Sequence, residues 1–442
     1  MAETHVNFLG GSPLNRLSWL RTSTPFLTAV LASPHTRWIL FRAGEPLVKV
    51  DAATKSHTLT RLPTPEVYPL LGKEPIFGQG NTLGEAAKTV DDEGKAITHV
   101  EAARIHGPPI VFLGLHEPDS IAGQAALALP SSDFSAKADP QTVAANIVGT
   151  PYFGLDVSEA DASIVDAVAK NAESEFMEPR AASQGLSAFD AAVFAEARSM
   201  IDWNARNSFC PGCGSPTYSL WAGWKRACIT VLPWVENTTK KPCPSAKGLH
   251  NYSHPRTDPV VIMAIIDETG DKILLGRNRK FPNGFYSTLA GFIEPGESFE
   301  DAVKREIWEE AGVRVWGVKY HSGQPWPYPA SLMVGFYAFA DASKPIRTDL
   351  DNELVDARWF SREEVQDVLA HKLGSTITRQ EHKKFDADEE DKDVHKDAKA
   401  VALDKPPAFR VPPRTAIAEH AQRHPDTLQF LFIRLLPLKL RS

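Results

Sequence analysis

The chain has 442 residues, of which 43% are hydrophobic and 23% charged, and its formal net charge is −7. That length and apolar content suit two or three globular domains, each able to bury a core. The acidic balance argues against a dedicated nucleic-acid coat or a basic membrane-binding surface.

Residues 1–13 hold no basic stretch followed by an apolar run, so no secretory signal is expected. Up to residue 205 no catalytic set stands out. Trp38–Phe41 and Pro109–Leu113 read as strands, and Ala188–Ala205 as a helix. The chain's four cysteines come next, at Cys210, Cys213, Cys228 and Cys243. Cys210-Pro-Gly-Cys213 is a tight knuckle of the kind that supplies two thiolates to a structural zinc. A disulfide or a redox pair is the competing reading; the missing secretory signal and the absence of a thioredoxin-like setting argue against both. The second pair is not compact, since fourteen residues separate Cys228 from Cys243. His250 is therefore an alternative fourth ligand. His254-Pro-Arg-Thr-Asp-Pro259 leads into the β-type run Val260–Ile266.

Gly291–Val313 carries the densest chemistry. Pro295-Gly296 marks a turn, Ser298 with Asp301 three residues later makes a capping box, and Gly312 stops the helix. Phe299, Val303, Ile307 and Ala311 repeat every four residues as the expected buried stripe. Glu306, Glu309 and Glu310 share another face. Three like charges there are unfavourable unless a cation joins them, and oxygen-only ligands suit Mg²⁺ or Mn²⁺ holding a substrate phosphate. A plain solvated acidic face is the alternative; the flanking glycines and the Glu297–Arg305 spacing favour a site.

Residues 322–331 read Ser-Gly-Gln324-Pro325-Trp326-Pro327-Tyr328-Pro329-Ala330-Ser331. Three alternating prolines stiffen this segment as a loop that holds Trp326 and Tyr328 outward for stacking on a ring, with Gln324 and Ser331 as polar contacts. A proline-rich turn packed in the core is the other reading. Val334–Ala340 reads as a strand. Residues from Gln380 to about Pro407 are dense in Lys, Asp and Glu and read as a solvated insertion. Leu428–Leu440 is apolar but too short to span a bilayer.

Gly291, Glu297, Arg305, Glu306, Ile307, Glu309, Glu310, Gly312 and Val313 fill every defined place of the signature of the Nudix hydrolases, which this chain resembles. Gln324–Ser331 looks like the array that marks the NADH pyrophosphatase branch of that family, with Gly323 in place of the usual serine and Tyr328 in place of phenylalanine. Asn15-Arg16-Leu17 and Phe153-Gly-Leu-Asp156 are similar to elements of that branch's N-terminal domain. The branch also places a zinc ribbon before its Nudix domain.

The resemblance implies an α+β protein. Residues 1–205 would be an N-terminal Nudix-like α/β domain and 206–254 a zinc ribbon on Cys210, Cys213, Cys228 and Cys243. Residues 255–442 would be a Nudix α/β/α sandwich with the charged insertion at about 380–407. Ala290 through its carbonyl, with Glu306, Glu309, Glu310 and Glu353, would hold Mg²⁺ or Mn²⁺. Glu353 is assigned from its place before Ala357-Arg-Trp-Phe360, and Glu297 would brace Arg305. Phe292, Gln324, Pro325, Trp326, Pro327, Tyr328, Pro329, Ala330, Ser331 and Ala418 would contact substrate. His254 replaces the branch's usual tyrosine, which favours a structural surface role there.

The implied reaction is hydrolysis of NADH or NAD to AMP and nicotinamide mononucleotide, and the same site could take an NAD-capped RNA. Hydrolysis of ADP-ribose or a diadenosine polyphosphate is the alternative within the family, and a non-enzymatic zinc-ribbon module the alternative outside it. Homodimers are usual in the family. Eukaryotic members are often peroxisomal, but the final Leu440-Arg441-Ser442 is not a Ser-Lys-Leu address, so a cytoplasmic location is equally expected.

Overall fold

The computed structural model describes residues 7–80, 89–90, 96–97, 102–117, 140–145, 147–232, 243, 254–282, 284–295, 297–350, 353–371, 373–377, 381, 407–413 and 416. The chain divides into two compact units. One comprises Gly11–Thr257 with Pro327–Ala330, and the other comprises the described parts of 1–10, 258–326 and 331–442. Among the described residues no helix is long and apolar enough to cross a membrane.

The first unit is built on a seven-stranded sheet. Its strands are β1 (Leu14–Asn15), β2 (Arg37–Arg42), β3 (Glu45–Val50), β4 (His57–Leu59), β5 (Ile110–His116), β6 (Thr150–Asp156) and β7 (Glu175–Phe176). The order is β1-β5-β6-β2-β3-β4, with β7 also on β3. Of these pairings only β2–β6 is parallel. The strand readings at Trp38 and Ile110 hold because both runs are apolar on successive residues, as strands covered on both faces must be. Trp38, Phe112 and Phe153 pack together there, the Trp38 and Phe153 rings stacked at 4.8 Å. The helices of this unit include α1 (Thr24–Ala32), α2 (Ala162–Asn171), α3 (Pro179–Gln184) and α4 (Ala188–Arg206). Ser187 caps α4 by accepting from the Asp190 amide. The α4 side chains at Ala197 and Ile201 reach β6 at Gly154, where there is room for them. A hairpin, β8 (Thr217–Leu220) and β9 (Lys225–Cys228), completes the described part.

The second unit centres on a mixed six-stranded sheet. Its strands are β10 (Asp258–Asp267), β11 (Lys272–Asn278), β12 (Leu289–Phe292), β13 (Val315–Trp326), β14 (Ser331–Ala340) and β15 (Leu354–Ser361). The order is β13-β14-β10-β11-β15, and β12 pairs with β10. β10 and β14 run parallel and the other pairs antiparallel. Helix α5 (Phe299–Ala311) covers one face, with Val303, Ile307 and Ala311 against Val261, Met263, Leu289, Val334 and Phe336. Helix α6 (Arg362–Ala370) helps to cover the other, where Val365 and Val368 join Leu275, Tyr286, Phe360, Phe409 and Val411. Helices on both faces make this an α/β/α sandwich, the architecture the resemblance implies.

Two expectations need correction. Phe299 is 45% exposed beside the Phe336 ring, so it does not complete the buried stripe. A four-residue repeat advances about 40° past a full helical turn each time, so a line drawn through Ile307 has rotated out by Phe299. Ala302 is buried instead. The proline-rich segment is also not wholly a loop. Ser322–Trp326 ends β13, with Trp326 opposite Ser331, and only Pro327–Ala330 form the turn. β13 is an edge strand, where a proline loses no ladder bond on its outer side.

Candidate active site and cysteine centre

The site begins with the two ends of α5. The Ser298 hydroxyl accepts from the Asp301 amide at 3.2 Å, and the Asp301 carboxylate accepts from the Ser298 amide at 3.3 Å. At the other end Gly312 sits at φ 64° and donates to the Trp308 carbonyl. This left-handed position favours glycine, so the helix stops after one face of acids has been displayed.

Strand β12 runs beneath that face. Gly291 pairs with Val261, and the Glu306 carboxylate occupies the space where a Gly291 side chain would start. Arg305 fixes the arrangement. Its Nε and Nη2 donate to the two Glu297 oxygens at 2.5 and 2.8 Å. Its Nη1 donates to Glu306 at 2.8 Å and Glu309 at 2.9 Å, and Nη2 also reaches the Phe292 carbonyl at 2.8 Å. The planar guanidinium is suited to such a fork. One side chain thus ties Glu297, the end of β12 and two acids of the helix. Arg305 and the Glu294 amide hold the Glu297 carboxyl down to about 2. Burial pushes Glu306 the other way, upward, against the pull of Arg305 and with help from the charges of Glu309 and Glu353. Glu306 is 9% and Glu310 3% exposed, while Glu309 is half-buried.

Glu353 stands just before β15, and the Asn278 side chain donates to its Oε1 at 2.8 Å. Its effect on Glu306 places it within electrostatic reach of the helix acids. The donor chemistry fits a hard divalent cation: several carboxylates, two of them buried, exceed the one positive charge that Arg305 brings. The oxygens are not gathered to chelating distance, however. Among the described residues, the four cysteines alone form a set of three or more ligand atoms all within 4.8 Å of one another. Arg305 draws Glu306 and Glu309 to itself, and like charges do not close up without a cation between them.

The cysteine set does close. Cys210 and Cys243 sulfurs lie 3.5 Å apart and those of Cys213 and Cys228 3.4 Å apart, with no disulfide. A tetrahedral zinc with sulfur bonds of about 2.3 Å needs sulfurs about 3.8 Å apart. The knuckle turns because the Cys213 and Gly214 amides donate to the Cys210 carbonyl, with Gly214 at φ 72°. Hydrogen bonds from Ser215 pull the Cys213 thiol down, while burial pushes its neighbour Cys228 up. The described residues therefore fit a closed structural zinc site that includes Cys243, the ligand whose spacing was least regular. His250 lies outside the described residues.

The proline-rich array is held differently from its sequence reading. Gln324 is 0% exposed and donates to the Phe8 carbonyl at 2.8 Å. Asn7 donates to Ser322 and to the Gly323 carbonyl, both at 2.9 Å. A buried amide needs such partners, and here they come from residues near the first of the chain. Tyr328 does not point outward: its hydroxyl donates to Ser183 at 2.7 Å, and the Arg180 guanidinium lies over its ring. Ser331 is buried. Pro327 is buried, while Pro325, Trp326, Pro329 and Ala330 are half-buried. Phe292, by contrast, is 61% exposed at the rim of the Arg305 network. Ala290 lies in β12 beside Gly291 and pairs with Ile262. His254 packs against the Trp221 ring. Ala418 lies outside the described residues. Asn278, which positions Glu353, has no motif to announce it, and neither do Asn7 and Phe8.

Residues 256–380 match the family model described as the NUDIX domain. Residues 35–203 match the NADH pyrophosphatase-like rudimentary NUDIX domain. An NAD-capped RNA hydrolase of Schizosaccharomyces pombe is 36% identical over 358 residues, covering 81% of this chain and 84% of that protein. The NAD-capped RNA hydrolase NPY1 of Saccharomyces cerevisiae is 32% identical over 375 residues, covering 83% and 88%. Human NAD-capped RNA hydrolase NUDT12 is 52% identical over 180 residues, which are 41% of this chain and only 36% of that protein.

Proposed function

The chain belongs to the Nudix hydrolases, and we propose that it splits the pyrophosphate of NADH or NAD into AMP and nicotinamide mononucleotide and, at the same site, removes an NAD cap from RNA. The observation that carries this reading is the Arg305 fork, which braces Glu297 and sets Glu306 over Gly291. The names of the two yeast relatives, aligned along most of their length, support the substrate.

In this reading Glu306, Glu309, Glu310 and Glu353, with the Ala290 carbonyl, hold Mg²⁺ or Mn²⁺. When bound, such ions neutralise phosphate charge and lower the pKa of a coordinated water. Arg305 keeps Glu306 and Glu309 at fixed positions on α5. Glu309, the most accessible of Glu306, Glu309 and Glu310, orients the attacking water and accepts its proton as general base. The exposed Phe292 ring and the half-buried Trp326 stack on a base. Zinc on the four cysteines folds residues 206–254, which lie in the chain between an N-terminal domain (1–205) and the catalytic domain (255–442), and takes no part in the chemistry. The working molecule is read as a homodimer in cytoplasm or peroxisome.

The test is product analysis on NADH, NAD, ADP-ribose, a diadenosine polyphosphate and a 5′-NAD RNA, each with Mg²⁺ or Mn²⁺. The expected products are AMP with nicotinamide mononucleotide from NAD and with its reduced form from NADH, and nicotinamide mononucleotide with a 5′-monophosphate RNA from the capped one. Cleavage of ADP-ribose with NAD, NADH and capped RNA left intact would overturn the substrate assignment.

A further inference from the structure

On a chain with net charge −7, the end of β11 carries a local cationic strip beside Glu353. Arg277, Arg279 and Lys280 cluster around Asn278, whose side chain holds Glu353; Arg279 and Lys280 are exposed and Arg277 half-buried. On β15, Arg358 is exposed and lies opposite Leu275. Its guanidinium lies over the Tyr286 ring at 5.0 Å and the Phe360 ring at 4.6 Å. That stacking holds the group flat and leaves its donor edge free for a bidentate acceptor. Arg277 faces Asp356 across the ladder, but Asp356 accepts instead from the Tyr286 hydroxyl. Among the described residues, the ion pairs of this unit fall on Arg305, Lys344, Arg347 and Arg410, and leave these four cations uncompensated. Half-buried Phe281 comes after Lys280 and sets its ring edge-on to Phe285 at 5.2 Å.

Cations spaced along a strand end with an aromatic ring beside them are what a single-stranded polynucleotide requires: point charges for successive phosphates and a face for a base. A free dinucleotide, whose two phosphates would meet the divalent ions held by the acidic helix face, has no use for more cations beyond Glu353. We propose that Arg277, Arg279, Lys280 and Arg358 form the track for the first phosphodiesters of an RNA attached to the dinucleotide. This rests on the proposed NAD-cap activity and adds how that site admits the longer substrate.

The experiment compares the parent enzyme with an Arg279→Ala/Lys280→Ala double variant, on free NAD and on a single-stranded 5′-NAD RNA, across a salt series. Each phosphate contact to a single strand contributes about 0.7 to the log–log salt slope, so two lost contacts lower the slope by about 1.4 and raise KM about 25-fold at about 0.1 M salt. For the capped RNA that rise is expected with kcat unchanged, and both constants for free NAD are expected within about twofold of the parent. A single Arg279→Lys variant, which keeps both charges, should keep the RNA KM low. An unchanged RNA KM in the double variant, or an equal rise for NAD and RNA, overturns the track and leaves the proposed activity standing. A parent enzyme that cleaves neither substrate overturns both.

Discussion

Replacing Gly291 by alanine tests whether the position of the Glu306 carboxylate is what the fold protects. A Cβ on Gly291 would overlap the Glu306 carboxyl carbon and both its oxygens. To regain van der Waals distance the carboxylate must retreat by roughly 1.5 Å. Retreat breaks the 2.8 Å bond from Arg305 to Glu306, while the two bonds from Arg305 to Glu297 can persist. The fold should therefore survive, because the core of α5 against Val261 and Val334 is untouched. A displacement of about 1 Å in a positioned group typically costs about a hundredfold in rate, so kcat on NAD with saturating Mg²⁺ should fall about that much or more. The assay is steady-state kinetics beside thermal denaturation. A Gly291→Ala enzyme with kcat within about threefold of the parent would show that Glu306 is not held where turnover needs it.

Glu310→Gln keeps the shape of a buried side chain but removes its charge. Supporting residues around metal sites already cost about 10–100-fold when lost, so turnover should drop by more than about 100-fold with an unchanged melting midpoint; full activity refutes the ligand assignment. Cys228→Ser leaves three thiols for a site that needs four ligands, so the protein should lose its equivalent of zinc by metal analysis and melt earlier; retained zinc with an unchanged midpoint refutes the closed site. Glu196, buried in α4, is pushed up from 4.5 to about 7 by desolvation, which Arg16 at 2.5 Å and Arg21 only partly oppose. A raised acid contributes stability below pH 4.5 that is lost as pH rises through about 7, here on the order of 3 kcal/mol. Glu196→Gln should flatten that fall in denaturation free energy between about pH 4.5 and 7.5, and an unchanged slope excludes this carboxyl as its source.

How far the sequence could be read differs from element to element. Periodicity and caps located α5 to the residue, because Ser298, Asp301 and Gly312 act on backbone groups next to them in the chain. The long strands were legible from their apolar runs, which include Trp38–Phe41, Ile110–Leu113 and Val260–Ile266, where successive apolar residues leave few other choices. The four-residue stripe misplaced Phe299 because spacing alone ignores helical drift.

Local order therefore determined the chemistry on offer: which acids share a helix face, which thiols form a knuckle, and which glycines end or open an element. What only the tertiary structure decided is which distant partners hold those groups in place. Gln324 and Tyr328 are expected from sequence to contact substrate, and the fold adds partners more than a hundred positions away, the Phe8 carbonyl and the Ser183 hydroxyl. Cys243 joins its three partners despite irregular spacing, because a metal site needs proximity in space and not in sequence. Burial and hydrogen bonding depend on segments that meet only after folding, so no reading of neighbours along the chain can supply them.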